Sequence, residues 1–450
     1  MSGSAPLGWV AIVRLGLVQT ALGAIVVLTT STINRVMVVE LMLPAILPGA
    51  LVALHYAVQI LRPRWGHGAD RGGRRTVWII GGMALLAAGA TGAAIATALM
   101  AVSTLAGVAL AVAAFLLVGI GVGAAGTNLL ALLASRVAPG RRAPAATIVW
   151  LMMIAGFVVT ATVAGHFLDP FSSVRLVTVT AVVSVAAFLV AVAALWGVEA
   201  RGGDRSPAVA EQQAHNRSDF RAALAAVWAE PEARRFTIFV FVSMLAYSAQ
   251  DLVLEPFAGA VFAMTPGQST QLAGVQHGGV LIGMIVVALA GAGIGGVRLG
   301  TLRGWTIGGC LASAAALALL AVGGSFGPGW PLVPTVFALG AANGVFAVAA
   351  IGSMMALAGA REGGSEGIRM GLWGAGQAIA FALGGFVGTA VVDGVRLVVA
   401  DPAAAYVTVF ALEALLFLLS AGLAARVSRA PASSVDPEPV LTRGGADVRA

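Results

Sequence analysis

The sequence contains no lysine, since all 26 of its basic residues are arginine, and it has one cysteine and three tyrosines. Charged residues make up only 10% of the chain, against about 25% in an average soluble protein. The lone cysteine, Cys310, lies in an apolar stretch, which excludes an internal disulfide and offers no redox pair. So few charges cannot cover a globule of 450 residues. A soluble enzyme, a disordered scaffold and a nucleic-acid binder are therefore excluded as readings of the whole chain. The missing lysine fits a GC-rich genome better than any chemistry. Strand-like alternation is absent, as are a Walker loop and any His, Cys or carboxylate spacing suited to a metal. The glycine repeat in 119–126 sits in an apolar run with no strand ahead of it, so a dinucleotide reading fails on context.

What the chain does contain is apolar surface. Hydrophobic residues reach 59%, glycine adds 59 positions, and the mean hydropathy is +0.96. This composition reads as an all-α polytopic membrane protein. Stretches of about 20 apolar residues, long enough to span a bilayer, recur twelve times: 11–33, 42–61, 77–98, 103–134, 145–168, 173–198, 236–262, 270–296, 304–322, 331–358, 370–392 and 404–425. Lipid offers no partner to an open strand edge, so these are expected as helices. No small-residue cleavage site follows the first stretch, which is expected to be kept as a spanning helix. The +7 charge and pI near 11 do not indicate nucleic acid, because the arginines stand in short runs between apolar stretches. Segments 62–75, 135–142, 199–235, 298–303, 359–369 and the tail, with Arg14, hold 23 arginines, whereas the alternate loops hold Arg35, Arg175 and Arg396. The positive-inside rule then places both termini in the cytoplasm.

The polar stretch 199–235 reads as a cytoplasmic linker between an N-terminal six-helix half, 1–198, and a C-terminal half, 236–426, with a disordered cytoplasmic tail at 427–450. Within the linker, 220–228 has the pattern of a short amphipathic surface helix. The halves repeat. Arg71, Gly73, Trp78, Ile80 and Gly81-Gly82 find counterparts in Arg298, Gly300, Trp305, Ile307 and Gly308-Gly309 at an offset of 227. A parallel duplication of six helices is the simplest account, as in two-halved transporters.

Between the second and third stretches stands Gly66-His67-Gly68-Ala69-Asp70-Arg71-Gly72-Gly73-Arg74-Arg75. It resembles the G-x-x-x-D-R-x-G-R-R loop of the major facilitator superfamily, with Gly66, Asp70, Arg71, Gly73, Arg74 and Arg75 at its defined positions. In such a loop a glycine turn presents one carboxylate among guanidiniums. Asp70 would cap a helix N-terminus or pair with an arginine such as Arg369 and latch the cytoplasmic side. The plainer alternative is a solvated, orientation-setting cluster.

Longer strings narrow the resemblance. Val13-Arg14-Leu15-Gly16-Leu17-Val18-Gln19, Thr30-Ser31-Thr32-Ile33-Asn34-Arg35-Val36-Met37-Val38-Val39-Glu40-Leu41, Leu54-His55-Tyr56 and Gln250-Asp251-Leu252-Val253-Leu254-Glu255-Pro256-Phe257 are similar to the PucC/LhaA family, over about residues 8–426. The family is a bacteriochlorophyll-delivery branch of that superfamily. The resemblance implies a twelve-helix major facilitator fold in the inner, photosynthetic (intracytoplasmic) membrane. It implies a non-enzymatic assembly factor for light-harvesting complexes that holds or passes bacteriochlorophyll. Implied partners are antenna polypeptides, bacteriochlorophyll-synthesis enzymes and the lipid bilayer, with no nucleic acid and no metal site of the protein's own. Two other functions stay open: a proton-coupled transporter of a small hydrophobic solute, with Asp251 or Glu255 as the coupling carboxylate, and a chaperone that binds antenna polypeptides without pigment.

Helices one and seven face each other in this superfamily, and ionisable groups at membrane depth need partners. An outer gate is therefore expected from Asn34, Arg35, Glu40, Gln250, Asp251 and Glu255, with Arg35 paired to Asp251 or Glu255, Glu40 nearby and Pro256 kinking helix seven. The alternative is a helix end resting in headgroups. Bacteriochlorophyll needs an axial magnesium ligand, for which His55, about 10 Å from the inner edge by helix rise, and His166 and His277, near the outer boundary, are candidates. Each is otherwise a hydrogen-bonded packing residue. Asn128, Asn343, Gln19 and Gln377 would line a cavity or join helices. Glu413 is the one acid deep in a late helix, a buried packing group or a partner contact. Gly384 and Gly388 form a flat G-x-x-x-G face.

Overall fold

The computed structural model describes residues 7–61, 74–138, 141–199, 228–292, 299–359 and 366–426. Within them the chain forms twelve membrane-type helices and no strand. In the first half these are α1 (Trp9–Glu40), α2 (Ile46–Leu61), α3 (Arg75–Met100), α4 (Thr104–Arg136), α5 (Arg142–Leu168) and α6 (Ser173–Leu195). In the second they are α7 (Pro231–Phe262), α8 (Pro266–Ala292), α9 (Leu302–Phe326), α10 (Leu332–Gly359), α11 (Glu366–Arg396) and α12 (Pro402–Arg426). All but α2 are long and apolar enough to cross a bilayer on their own. Trp9 and Arg426 lie at the same end of the bundle, called proximal below, and the opposite end is distal. The linker residues 201–227 and the tail 427–450 lie outside the described residues.

Several boundaries depart from the sequence expectation: α7 begins at Pro231, inside the stretch read as linker, α8 begins at Pro266, and the largest departure is in the first helix. The first helix does not stop near Ile33 but continues to Glu40 through two π-helical turns, Leu28–Thr32 and Val36–Glu40. The polar run 29–40 looks like a helix end because it would be costly in lipid. Here most of it is buried against the other half, which bonds the polar atoms of Thr32, Asn34 and Arg35, while Thr29 and Thr30 bond back to their own helix. Met42, in the left-handed region at φ 52°, then breaks the chain, and α2 starts only after Pro44.

Packing follows the duplication. α3 lies on α4 as α9 lies on α10, α2 touches α4 as α8 touches α10, and the halves meet through α5 with α8 and α2 with α11. The offset of 227 has a packing reason. A Cβ on Gly82 would stand 2.6 Å from the Ala125 amide of α4, and one on Gly309 would stand 2.6 Å from the Phe346 amide of α10. Each glycine lets its helix touch the next backbone, while its neighbours Gly81 and Gly308 face open space. Gly82→Val or Gly309→Val is therefore expected to destabilise by about 1–3 kcal/mol through overpacking. Gly81→Ala and Gly308→Ala should leave stability unchanged or slightly raised. Thermal unfolding of the four variants in one detergent checks the contrast. Gly384 and Gly388 also serve internal packing, against Leu245, Ser248 and Ala249 of α7.

Candidate functional site

The distal meeting of α1 with α7 and α8 gathers most of the polar residues singled out in the sequence. Asn34 is 1% exposed and donates from Nδ2 to the Leu252 carbonyl at 2.6 Å, tying α1 to α7. Two residues back, the Thr32 and Thr270 hydroxyls lie 3.0 Å apart and join α1 to α8. Arg35 is one of the largest fully buried side chains in the molecule. Its Nη1 donates to Glu40 Oε1 at 2.5 Å, and its Nη2 to the Met264 carbonyl at 2.5 Å.

The expected pairing of Arg35 with Asp251 or Glu255 is thus corrected: the ion pair is Arg35–Glu40. The cause is local. The π turn of Val36–Glu40, with its Leu41 N–H to Val36 carbonyl bond, stacks residues five apart, so Glu40 falls over Arg35. The guanidinium then runs toward the distal end across Gly259, where a Cβ would come within 2.9 Å of Nη2. Gly259 belongs to the site and was missed in the sequence, where a glycine in a glycine-rich helix carries no signal.

Glu255 is 1% exposed, accepts from the Ser269 hydroxyl at 3.4 Å, and has the Arg35 charge nearby. Pro256 lies inside α7, which continues to Phe262. Asp251 lies one turn nearer the middle, with Oδ1 unpartnered, and Gln250 is fully buried with both amide atoms unpartnered. Glu413 of α12 is 2% exposed with neither carboxyl oxygen partnered, and Asp251 is close enough to act on its charge. A depression of about 650 Å³ opens beside the Arg35–Glu40 pair, walled by Asp169, Phe171, Met264 and Thr265.

The three histidines differ. His55 is buried, and its Nε2 accepts from the Gln59 amide at 3.0 Å. His166 is exposed near the distal end of α5, edge-on to Phe167. His277 lies eleven residues into α8, about 16 Å from its distal end. That is mid-depth rather than the outer boundary expected, because α8 begins at Pro266 and not at 270. Its Nδ1 bonds the Ala273 carbonyl at 2.8 Å, and its ring stands edge-on to Phe157 of α5. A proton on Nδ1 leaves the lone pair on Nε2.

Of the amides, Asn343 accepts from Ser313 at 2.9 Å, Asn128 bonds back to Ala124, and Gln19 and Gln377 donate to Met153 and Met244 sulfurs. These join helices or turns rather than line the depression. Gly66, Asp70, Arg71 and Gly73 lie outside the described residues; Arg74 and Arg75 do not. The N-terminus of α3 is capped by Glu199, whose carboxylate accepts from the Arg75 N–H at 3.2 Å, the Thr76 N–H at 2.9 Å and the Thr76 hydroxyl at 2.7 Å.

Comparison with known proteins extends this geometry. The family profile described as PUCC protein matches residues 32–432. The chain is 51% identical over 426 residues to the protein of Rhodobacter capsulatus named bacteriochlorophyll synthase 44.5 kDa chain, covering 94% of this chain and 96% of that one. It is 29% identical to protein PucC of Cereibacter sphaeroides, over 92% and 93% of the two. Among solved structures, a D-xylose-proton symporter aligns with a TM-score of 0.69 at 14% identity, over 91% of this chain and 97% of that one. At that identity the likeness shows the major facilitator fold alone.

Proposed function

Because the chain belongs to the PUCC protein family, we propose that it is a membrane assembly factor for light-harvesting complexes that holds bacteriochlorophyll and hands it to nascent antenna polypeptides. The observation that carries the reading is the 51% identity, along 94% of the chain, to a relative whose name contains that pigment. The word synthase in that name is not carried over. No group of three or more His, Cys, Asp or Glu that could hold a metal gathers among the described residues. In this reading the proximal end, with Arg74, Arg75, Arg136, Arg141, Arg142, Arg234, Arg235 and Arg303, faces the cytoplasm together with both termini.

Pigment ligation falls to His277. A histidine that ligates a metal commonly gives its other ring N–H to a backbone carbonyl, which fixes the tautomer, and His277 has that bond in place. His55 has Nε2 engaged by Gln59, and His166 is exposed and has no hydrogen-bonded partner among the described residues. Bound there, the pigment would supply its magnesium as Lewis acid; the protein supplies one neutral imidazole and an apolar surround.

The test is to purify the protein from a pigment-producing host lacking antenna polypeptides and record its near-infrared absorption. A stoichiometric band that His277→Ala removes and His166→Ala leaves is the expected result. A colourless preparation would discard pigment binding in favour of a chaperone that binds polypeptide alone. A second reading, proton-coupled transport, draws on the buried carboxyls of Asp251, Glu255 and Glu413. It requires uptake that a proton gradient drives and Asp251→Asn abolishes.

A further inference from the structure

The distal ends of the two halves engage twice in the same manner. Asp169 follows the end of α5, and its carboxylate accepts from the Thr265 hydroxyl at 2.6 Å and the Gly267 N–H at 3.2 Å, at the start of α8. Asp393 lies near the end of α11, and its carboxylate accepts from the Ala45 N–H at 3.0 Å and the Ile46 N–H at 2.7 Å, at the start of α2. By the duplication α11 corresponds to α5 and α2 to α8. The two aspartates are thus one feature written twice, at an offset of 224 against the 227 of the loops. In each case the acid belongs to one half and the capped helix to the other. A helix start offers unpaired N–H groups and a positive dipole end, which favour an anion.

The three arginines that stand on the distal side against the general pattern are each tied to this arrangement. Arg175 donates to the Asp169 carbonyl. Arg396 reaches Asp393 Oδ1 at 4.0 Å while donating to the Tyr406 hydroxyl at 2.7 Å. Arg35 holds the Met264 carbonyl, next to Thr265. Each thereby fixes one of the surfaces that meet.

We propose that Asp169 and Asp393 are paired locks that hold the distal side of the bundle shut, and that opening to that side requires α8 and α2 to leave the two carboxylates together. The inference does not depend on what the protein carries. It also assigns closure to two helix-capping acids rather than to the Arg35 ion pair, whose partners both lie within one helix and its neighbouring turn.

The test uses the full chain with Ser269→Cys as reporter. Ser269 is fully buried in the first turn of α8, and the native Cys310, equally buried in α9, reports unfolding. Maleimide labelling at the two cysteines is followed by peptide mass spectrometry. Asp169→Ala and Asp393→Ala are each expected to speed labelling at position 269 by about tenfold, the lower end for a hydrogen bond to a charged group. The double variant should be faster again, with Cys310 unlabelled throughout. Asp169→Asn and Asp393→Asn keep an acceptor for the capped N–H groups and should fall between parent and alanine variants. Unchanged labelling in the double alanine variant overturns the proposal. So does labelling of both cysteines in step in the alanine variants with asparagine variants indistinguishable from the parent. Should the alanine variants unfold while the asparagine variants still open selectively at 269, the locks stand.

Discussion

Glu40→Ala is expected to destabilise the protein by about 3 kcal/mol or more, as when one member of a buried ion pair is removed. The Arg35 side chain is 2% exposed while that of Glu40 is 33% exposed, so the cation is the member unable to reach water. Without Glu40 its one remaining hydrogen-bond partner among the described residues would be the Met264 carbonyl, since its Nε has none, with the Glu255 carboxyl nearby but not bonded. Removing both charges together, as Arg35→Met with Glu40→Gln, should cost much less than Glu40→Ala alone, because an apolar chain of similar length fills the channel across Gly259. The charge geometry makes a second, sharper demand. Arg35→Glu should be rescued by Glu40→Arg, its neighbour across the π turn, and not by a basic residue at Asp251 or Glu255. Thermal unfolding of the set in a single detergent decides it. Equal stability for Glu40→Ala and the double neutral variant would sink the account.

The fold was legible because lipid leaves few choices. Twelve apolar runs and the recurrence of Trp78-to-Gly82 at Trp305-to-Gly309 specify helices and duplication without tertiary information. Composition could also place Asn34, Arg35 and Glu255 at an interface, since ionisable groups cannot remain facing lipid. It failed where the answer depended on the other half of the molecule. Residues 29–40 look too polar to span, yet they stay helical: Thr270, Leu252 and Met264 of the other half bond Thr32, Asn34 and Arg35, and Thr29 and Thr30 bond back within α1. The partner of Arg35 followed from a π turn, a difference of one residue in hydrogen-bond register that no apolar periodicity reveals. Asp169 and Asp393 carried a signal only in comparison with each other, as lone acids near the distal ends of corresponding helices. Their role depends on backbone N–H groups, which the sequence does not single out.

The second large effect concerns an acid that nothing in its surroundings supports. Glu413 is buried in α12 with both carboxyl oxygens unpartnered, beside Asp251 and near Gln250, whose amide atoms are also unpartnered. Phe257 and Phe410, their rings edge-on with centroids 4.9 Å apart, pack α7 against α12 distal to this cluster. Whether carried as carboxylate or as neutral acid, a buried polar group without a partner costs about 1–3 kcal/mol. Glu413→Leu, close in volume and apolar, is therefore expected to stabilise the protein by about that amount. The same variant should fail to restore antenna complexes in a phototrophic host that lacks the wild-type gene. A costly group kept at membrane depth is the signature of a site that trades stability for function. Glu413→Gln preserves shape and hydrogen-bonding capacity but cannot ionise, and it separates the two roles. If ionisation matters, this variant loses complementation while its stability stays near the parent's. A leucine variant less stable than the parent would show that the carboxyl contributes to packing after all, and the functional argument for Glu413 would fall with it.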